Sequence, residues 1–155
     1  AMRTKVCLLL AIMVVSAGCP PERCAGCDPR AAAIQFERVS TMTPTSGMVR
    51  ITGVVTNWGQ SPFVSGQGQQ SVLLYEGGDL VAQQPFTNLA VDASVEVVYE
   101  REWSTQDEFR PPLYTMMLSY DPDIFIDGNA SNDDCNLDNN DRSRSTSGLD
   151  ALFEL

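Results

Sequence analysis

Residues 48–57, MVRITGVVTN, decide the fold. Val49, Ile51 and Val55 fall on one set of alternate positions, with Arg50, Thr52 and Thr56 between them. Successive side chains of an extended chain point to opposite faces. The alternation therefore describes a strand with one face in a core and the other in water. Most of these residues are β-branched, and their stiff χ1 suits a pleated surface.

The same grammar repeats on either side. Ile34-Gln35-Phe36-Glu37 alternates upstream. Ser71 to Tyr75 is followed by Glu76-Gly77-Gly78-Asp79 and then Leu80 to Gln83, a hairpin signal. Ser94 to Trp103 (SVEVVYEREW) is rich in β-branched and aromatic residues, and Pro112 to Tyr120 puts Tyr114, Met116, Leu118 and Tyr120 on one face. A more polar strand is predicted over about Arg142 to Ser147. No segment of useful length has helical periodicity. Seven strands with turn residues between them predict an all-β protein, an immunoglobulin-like antiparallel β-sandwich over residues 33–148. A barrel is the alternative, but the closing glycine pattern of small barrels is missing.

Several strand ends resemble those of the CARDB domain, the cell-adhesion-related domain found in bacteria. Val54-Val55-Thr56-Asn57-Trp58-Gly59 is similar to its V-x-N-x-G strand end. Leu89 to Val97 (LAVDASVEV) is similar to its L-x-x-x-x-S-x-x-V approach to the fifth strand, which Trp103 ends. Tyr114 to Asp121 resembles its sixth strand, and Asp138-Asn139-Asn140 the acidic-Asn-Asn before its last. The resemblance spans about residues 33–147 and implies extracellular adhesion or scaffolding. Residues 121–140 depart from it, with an added cysteine and more Asn and Asp.

The N-terminus addresses the chain. Arg3 and Lys5 precede an uncharged run, Val6 to Val15, which is far shorter than the roughly 20 residues a membrane-spanning helix needs. Residues 1–18 therefore read as a signal peptide. Ser16-Ala17-Gly18-Cys19 resembles the lipobox of bacterial lipoproteins, although Ser16 stands where Leu is usual. The resemblance implies lipidation at Cys19, a membrane partner reached through that lipid anchor, and a lipid-anchored place in the bacterial cell envelope. By the sorting pattern of that family, which retains proteins with Asp after the acylated residue, Pro20 at that position implies the outer membrane. Residues 19–32 (CPPERCAGCDPRAA) then read as a flexible tether.

Cleavage before Cys19 removes 18 of 155 residues and leaves 137, enough for one domain. It also removes Arg3 and Lys5 from the ten cations, leaving eight arginines against 20 carboxylates and a formal charge of −12. That charge argues against nucleic acid as a partner. The chain has no histidine, and its only lysine, Lys5, leaves with the signal peptide, which excludes Ser-His and Cys-His triads and Schiff-base amines, while a pair of carboxylates could still hydrolyse a glycoside. No carboxylate pair sits on a defined scaffold beside sugar-binding aromatics, and the reading is non-enzymatic.

Cys19, Cys24, Cys27 and Cys135 reproduce plant-type ferredoxin ligand spacing. A lipobox at Cys19 and export of the unfolded chain oppose a cluster, and exported thiols tend to oxidise. In a sandwich, the start of the first strand and the loop before the last lie at the same end. That geometry favours a disulfide between Cys27 and Cys135, with Cys24 as the alternative partner and a local Cys24–Cys27 bridge also open.

Residues 121–141 hold seven aspartates and five asparagines. Calcium takes six to eight oxygen ligands, and Asp121, Asp123, Asp133 and Asp134 are the metal ligands to expect. A polar loop that hydrogen-bonds its own backbone is the plain alternative. Trp58 and Phe63, in the loop at the same end, are candidate partner contacts. The tail, 149–155, is apolar enough to pack on an edge strand or offer one to a partner. Adhesion, scaffolding or envelope-complex assembly with an envelope or cell-surface protein partner is the function expected. The alternative is a calcium-dependent module that recognises a glycan or protein.

Overall fold

The computed structural model describes residues 22–106 and 112–153. The signal peptide and Cys19 lie outside the described residues. Among the described residues nine strands form: β1 (Pro29–Thr43), β2 (Ser46–Asn57), β3 (Phe63–Val64), β4 (Gln70–Glu76), β5 (Asp79–Pro85), β6 (Asn88–Leu89), β7 (Ser94–Ser104), β8 (Leu113–Tyr120) and β9 (Asp141–Ser145), followed by a short helix α1 (Ser147–Asp150). Seven are the strands expected from the sequence; β3 and β6 are two-residue additions. One sheet has the order β1-β2-β7 and the other β5-β4-β8-β9, with β3 and β6 paired separately. Every pairing is antiparallel. The fold is an immunoglobulin-like antiparallel β-sandwich.

The alternation in 48–57 holds along the whole of β2, whose residues switch strictly between half-buried and buried. Val49, Ile51 and Val55 are wholly buried, facing Val72, Leu74, Tyr114 and Met116 of the second sheet's strands. Gly53 sits in this inward row. A Cβ there would lie 2.6 Å from Met116 Sδ and 2.9 Å from Val97 Cγ1. The missing side chain is the space into which Met116 packs, in keeping with the close packing of protein interiors.

Arginines on β9 close one seam between the sheets. Arg142 donates to the Ala32 carbonyl at 2.8 Å, and Arg144 donates to the Ile34 carbonyl at 2.6 Å. The Arg144 guanidinium also lies 4.2 Å from the Phe36 ring centre. The polar sequence Asp141-Arg142-Ser143-Arg144-Ser145 thus satisfies carbonyls on the open edge of β1, a liability in any sheet.

One boundary differs from the sequence reading. The tether expected over 19–32 is folded for most of its length: β1 begins at Pro29, and Cys27 and Asp28 are buried. The tail expected from residue 149 adds no strand among the described residues and takes the other expected role, packing against the edge strand β1. It turns into α1, buries Leu149 and Phe153, and places Asp150 to accept from Trp103 Nε1 at 3.0 Å. This plugs one end of the sandwich. Because neighbouring strands alternate in direction, residues 22–28, 58–69, 86–93 and 121–140 gather at the other end.

Candidate functional site

The gathered loops are built around Asn57, which is wholly buried. Its Oδ1 accepts from the backbone N–H groups of Asp28 and Gly59, both at 3.0 Å. Its Nδ2 donates to the carbonyls of Ser61 and Leu89, both at 2.9 Å. One amide therefore ties β2 to the incoming segment, to its own following loop and to β6. Such a group stays buried because all of its bonding capacity is used. Gly59 has a separate reason: a Cβ there would stand 2.2 Å from the Gly26 carbonyl oxygen. The segment 26–28 crosses directly over it, with Trp58 N–H donating to Asp28 O at 2.7 Å and Gln60 N–H to Gly26 O at 2.9 Å.

Cys24, not Cys27, is bonded to Cys135. Correcting the favoured pairing, the structure turns Cys27 inward, where it is 1% exposed and free. Cys27 forms an isolated parallel bridge with Asp134, and its carbonyl accepts the Cys135 N–H at 3.0 Å. The right stretches of chain meet, but the Cys27 side chain points to the core. Burial and the neighbouring Asp134 push its thiol up to about 11, so it stays protonated and unreactive at neutral pH.

Trp58 is half-buried, with the guanidinium carbons of Arg23 and Arg30 at 3.8 Å and 4.0 Å from its ring centre. Arg23 continues to Asp92 at 2.8 Å. A cleft of about 450 Å³ opens beside this stack, lined by Asp28, Arg30, Trp58, Asn136, Asn139 and the Cys24–Cys135 disulfide. Asp28 is buried and accepts from Asn139 Nδ2 at 2.9 Å. Arg30 Nε and Asn139 Oδ1 are buried without a hydrogen-bond partner among the described residues.

The acidic loop is mostly self-contained. Asp134 is buried and accepts from Tyr120 Oη at 2.9 Å, Asn140 Nδ2 at 2.8 Å and Asn136 N–H at 3.0 Å. Burial raises the Asp134 carboxyl, and burial beside that carboxylate raises the Tyr120 hydroxyl. Asp127 is held below its ordinary range by hydrogen bonds, from Asn132 first and then the Asn129 N–H. Asp121 accepts from the Asp123 N–H at 3.1 Å in a local turn. Asp121, Asp123, Asp133 and Asp134 do not assemble: among the described residues no three His, Cys, Asp or Glu side chains form a group that could hold a metal ion.

Of the two aromatic contacts expected, Phe63 is wholly buried, 5.4 Å from Phe86 and 6.4 Å from Tyr120 between ring centres. It is a core residue, held inward by the pairing of β3 with β6. Trp58 remains at the surface beneath its arginines. Sequence reasoning missed Arg23, Arg30, Asp28 and Asn139. The signal for the crossing itself was in Asn57-x-Gly59, an amide followed by a residue without Cβ at a strand end.

No protein-family model matches the chain, and no curated protein sequence matches it. Two solved domains are similar to it in structure. The CARDB domain of the PF1109 protein from Pyrococcus furiosus, solved in complex with di-metal ions, gives a TM-score of 0.45 at 13% identity over 81% of this chain and 91% of that one. A domain of a candidate cell surface protein from Methanosarcina acetivorans gives 0.41 at 21% identity over 76% of this chain and 90% of that one.

Proposed function

We propose that this chain is a non-enzymatic, lipid-anchored protein of the bacterial cell envelope, held at the outer membrane through Cys19 and serving adhesion, scaffolding or the assembly of an envelope complex. One juxtaposition carries the reading. Gly18-Cys19 ends a short apolar run, and five residues later Cys24 is oxidised to Cys135. Disulfides persist in exported proteins and not in the reducing cytosol. A thiol consumed by acylation at Cys19 leaves one bridge and one buried thiol. The chain has no histidine, so it holds no Ser-His or Cys-His triad, which suits a binding role rather than turnover of a substrate.

Labelled palmitate and membrane fractionation test the anchor in a host that processes lipoproteins. The natural chain is expected to take up label and sediment with membranes, and Cys19→Ser to lose the label and appear in the soluble fraction. Equal membrane association without label in both would overturn the proposal.

A further inference from the structure

Eleven large apolar side chains are well exposed among the described residues, and five of them, Val64, Val91, Phe125, Ile126 and Leu137, lie on the loop end. Ile126 is 80% exposed and Phe125 42%. Scattered apolar side chains are ordinary on a soluble surface; what matters here is where the chain enters. Only Pro20 and Pro21 separate Cys19 from Glu22. Three extended residues reach at most about 11 Å. Two residues beyond Glu22 the chain is bonded through Cys24 to Cys135, on the same loop as Phe125 and Ile126. An acylated Cys19 therefore cannot stand far from this end, and the opposite end, with the β1–β2 turn at Pro44-Thr45, is a full strand length away.

We infer that the loop end is a membrane-seating surface: with Cys19 acylated, Phe125 and Ile126 enter the headgroup region of the leaflet that holds the anchor, and the β1–β2 turn projects into solvent. The inference rests on the lipid anchor of the preceding section. Charge selects the kind of bilayer. Glu22, Asp121, Asp123, Asp127 and Asp133 are exposed on the same end, so anionic headgroups repel it and a zwitterionic surface is the fitting partner. It follows that a protein partner meets the far end or the flanks of the sandwich, not Trp58.

The test uses the full lipidated protein in phosphatidylcholine vesicles containing chain-brominated lipid, with an environment-sensitive fluorophore on Ile126→Cys or on Thr45→Cys. Mass spectrometry and vesicle flotation are read on the same samples. The expected result is a blue-shifted label at position 126, quenched at least twofold by the brominated chains, and an unshifted, unquenched label at position 45. Adding phosphatidylglycerol is expected to weaken the signal at position 126. An acylated, floating protein whose label at 126 behaves like that at 45 overturns the orientation alone. A protein without acyl mass that does not float overturns the anchor and the orientation together. A stronger signal with phosphatidylglycerol overturns the choice of a zwitterionic surface.

Discussion

Replacing Asn57 by Ala removes one side chain and strands four backbone groups. The N–H groups of Asp28 and Gly59 lose their acceptor, and the carbonyls of Ser61 and Leu89 lose their donor. A buried polar group without a partner costs about 1–3 kcal/mol. The two N–H groups have no second option, whereas a carbonyl has a spare lone pair and Ser61 lies near the surface, so the sum is about 3–5 kcal/mol rather than four full penalties. That is a large share of the ~5–15 kcal/mol by which a domain is stable. Urea unfolding of a soluble form beginning at Glu22, with the disulfide intact, measures it as a fall in midpoint at unchanged slope. Asn57→Asp sharpens the test. It keeps the acceptor for both N–H groups but aims a carboxylate at two carbonyls, so its folded-state pKa rises above the unfolded value. Its stability is then greatest below the unfolded pKa and falls as pH rises through the folded one. A loss under about 1 kcal/mol for Asn57→Ala, or no pH dependence for Asn57→Asp, would refute the role of Asn57 as the tie of the loop end.

Four further outcomes are expected. Gly59→Ala must displace the crossing segment, because its Cβ would lie 2.2 Å from Gly26 O; thermal melting should show a loss of more than about 2 kcal/mol, in the range of overpacked sites. Reducing the Cys24–Cys135 bridge, whose cysteines are 111 residues apart, should cost up to about 4–5 kcal/mol by the chain-entropy model, read as the shift in urea midpoint between oxidised and reduced protein. Cys27, raised from 9.0 to about 11, should make stability fall as pH rises through that window, by up to about 1.4 kcal/mol per pH unit, because the unfolded chain sheds the proton first; urea midpoints of natural protein and Cys27→Ala across the window test this. Arg142→Ala with Arg144→Ala should open the β1–β9 seam at a cost of about 1.5–3 kcal/mol per charged hydrogen bond, seen as faster amide exchange at residues 31–36.

What was legible in the sequence is what period and turn chemistry encode. Strands with one buried face, such as 48–57, announce themselves because a shift of one residue would put their apolar row in water. β3 and β6 are too short to show a period, so Phe63 looked like a loop aromatic when the pairing of Phe63 with Leu89 makes it core. The choice between Cys24 and Cys27 turned on which way each side chain points at a chain crossing, and spacing is silent on that. The seam arginines read as a polar strand because their partners are backbone carbonyls 110 residues away. The end plug was partly visible: Leu149 and Phe153 are four residues apart, one helical turn. The four aspartates shared a composition suited to calcium, but Asp134 turns to Tyr120 and Asn140 while Asp121 turns to its own loop.

The anchor at Cys19 is tested most directly by the intact mass of the protein taken from the membrane fraction, measured after alkylation under denaturing conditions with and without reduction. The account predicts a chain of residues 19–155 carrying acyl groups, with one alkylation before reduction, at Cys27, and three after it, at Cys24, Cys27 and Cys135. An unacylated chain in which Cys19 also takes up the alkylating agent would contradict it.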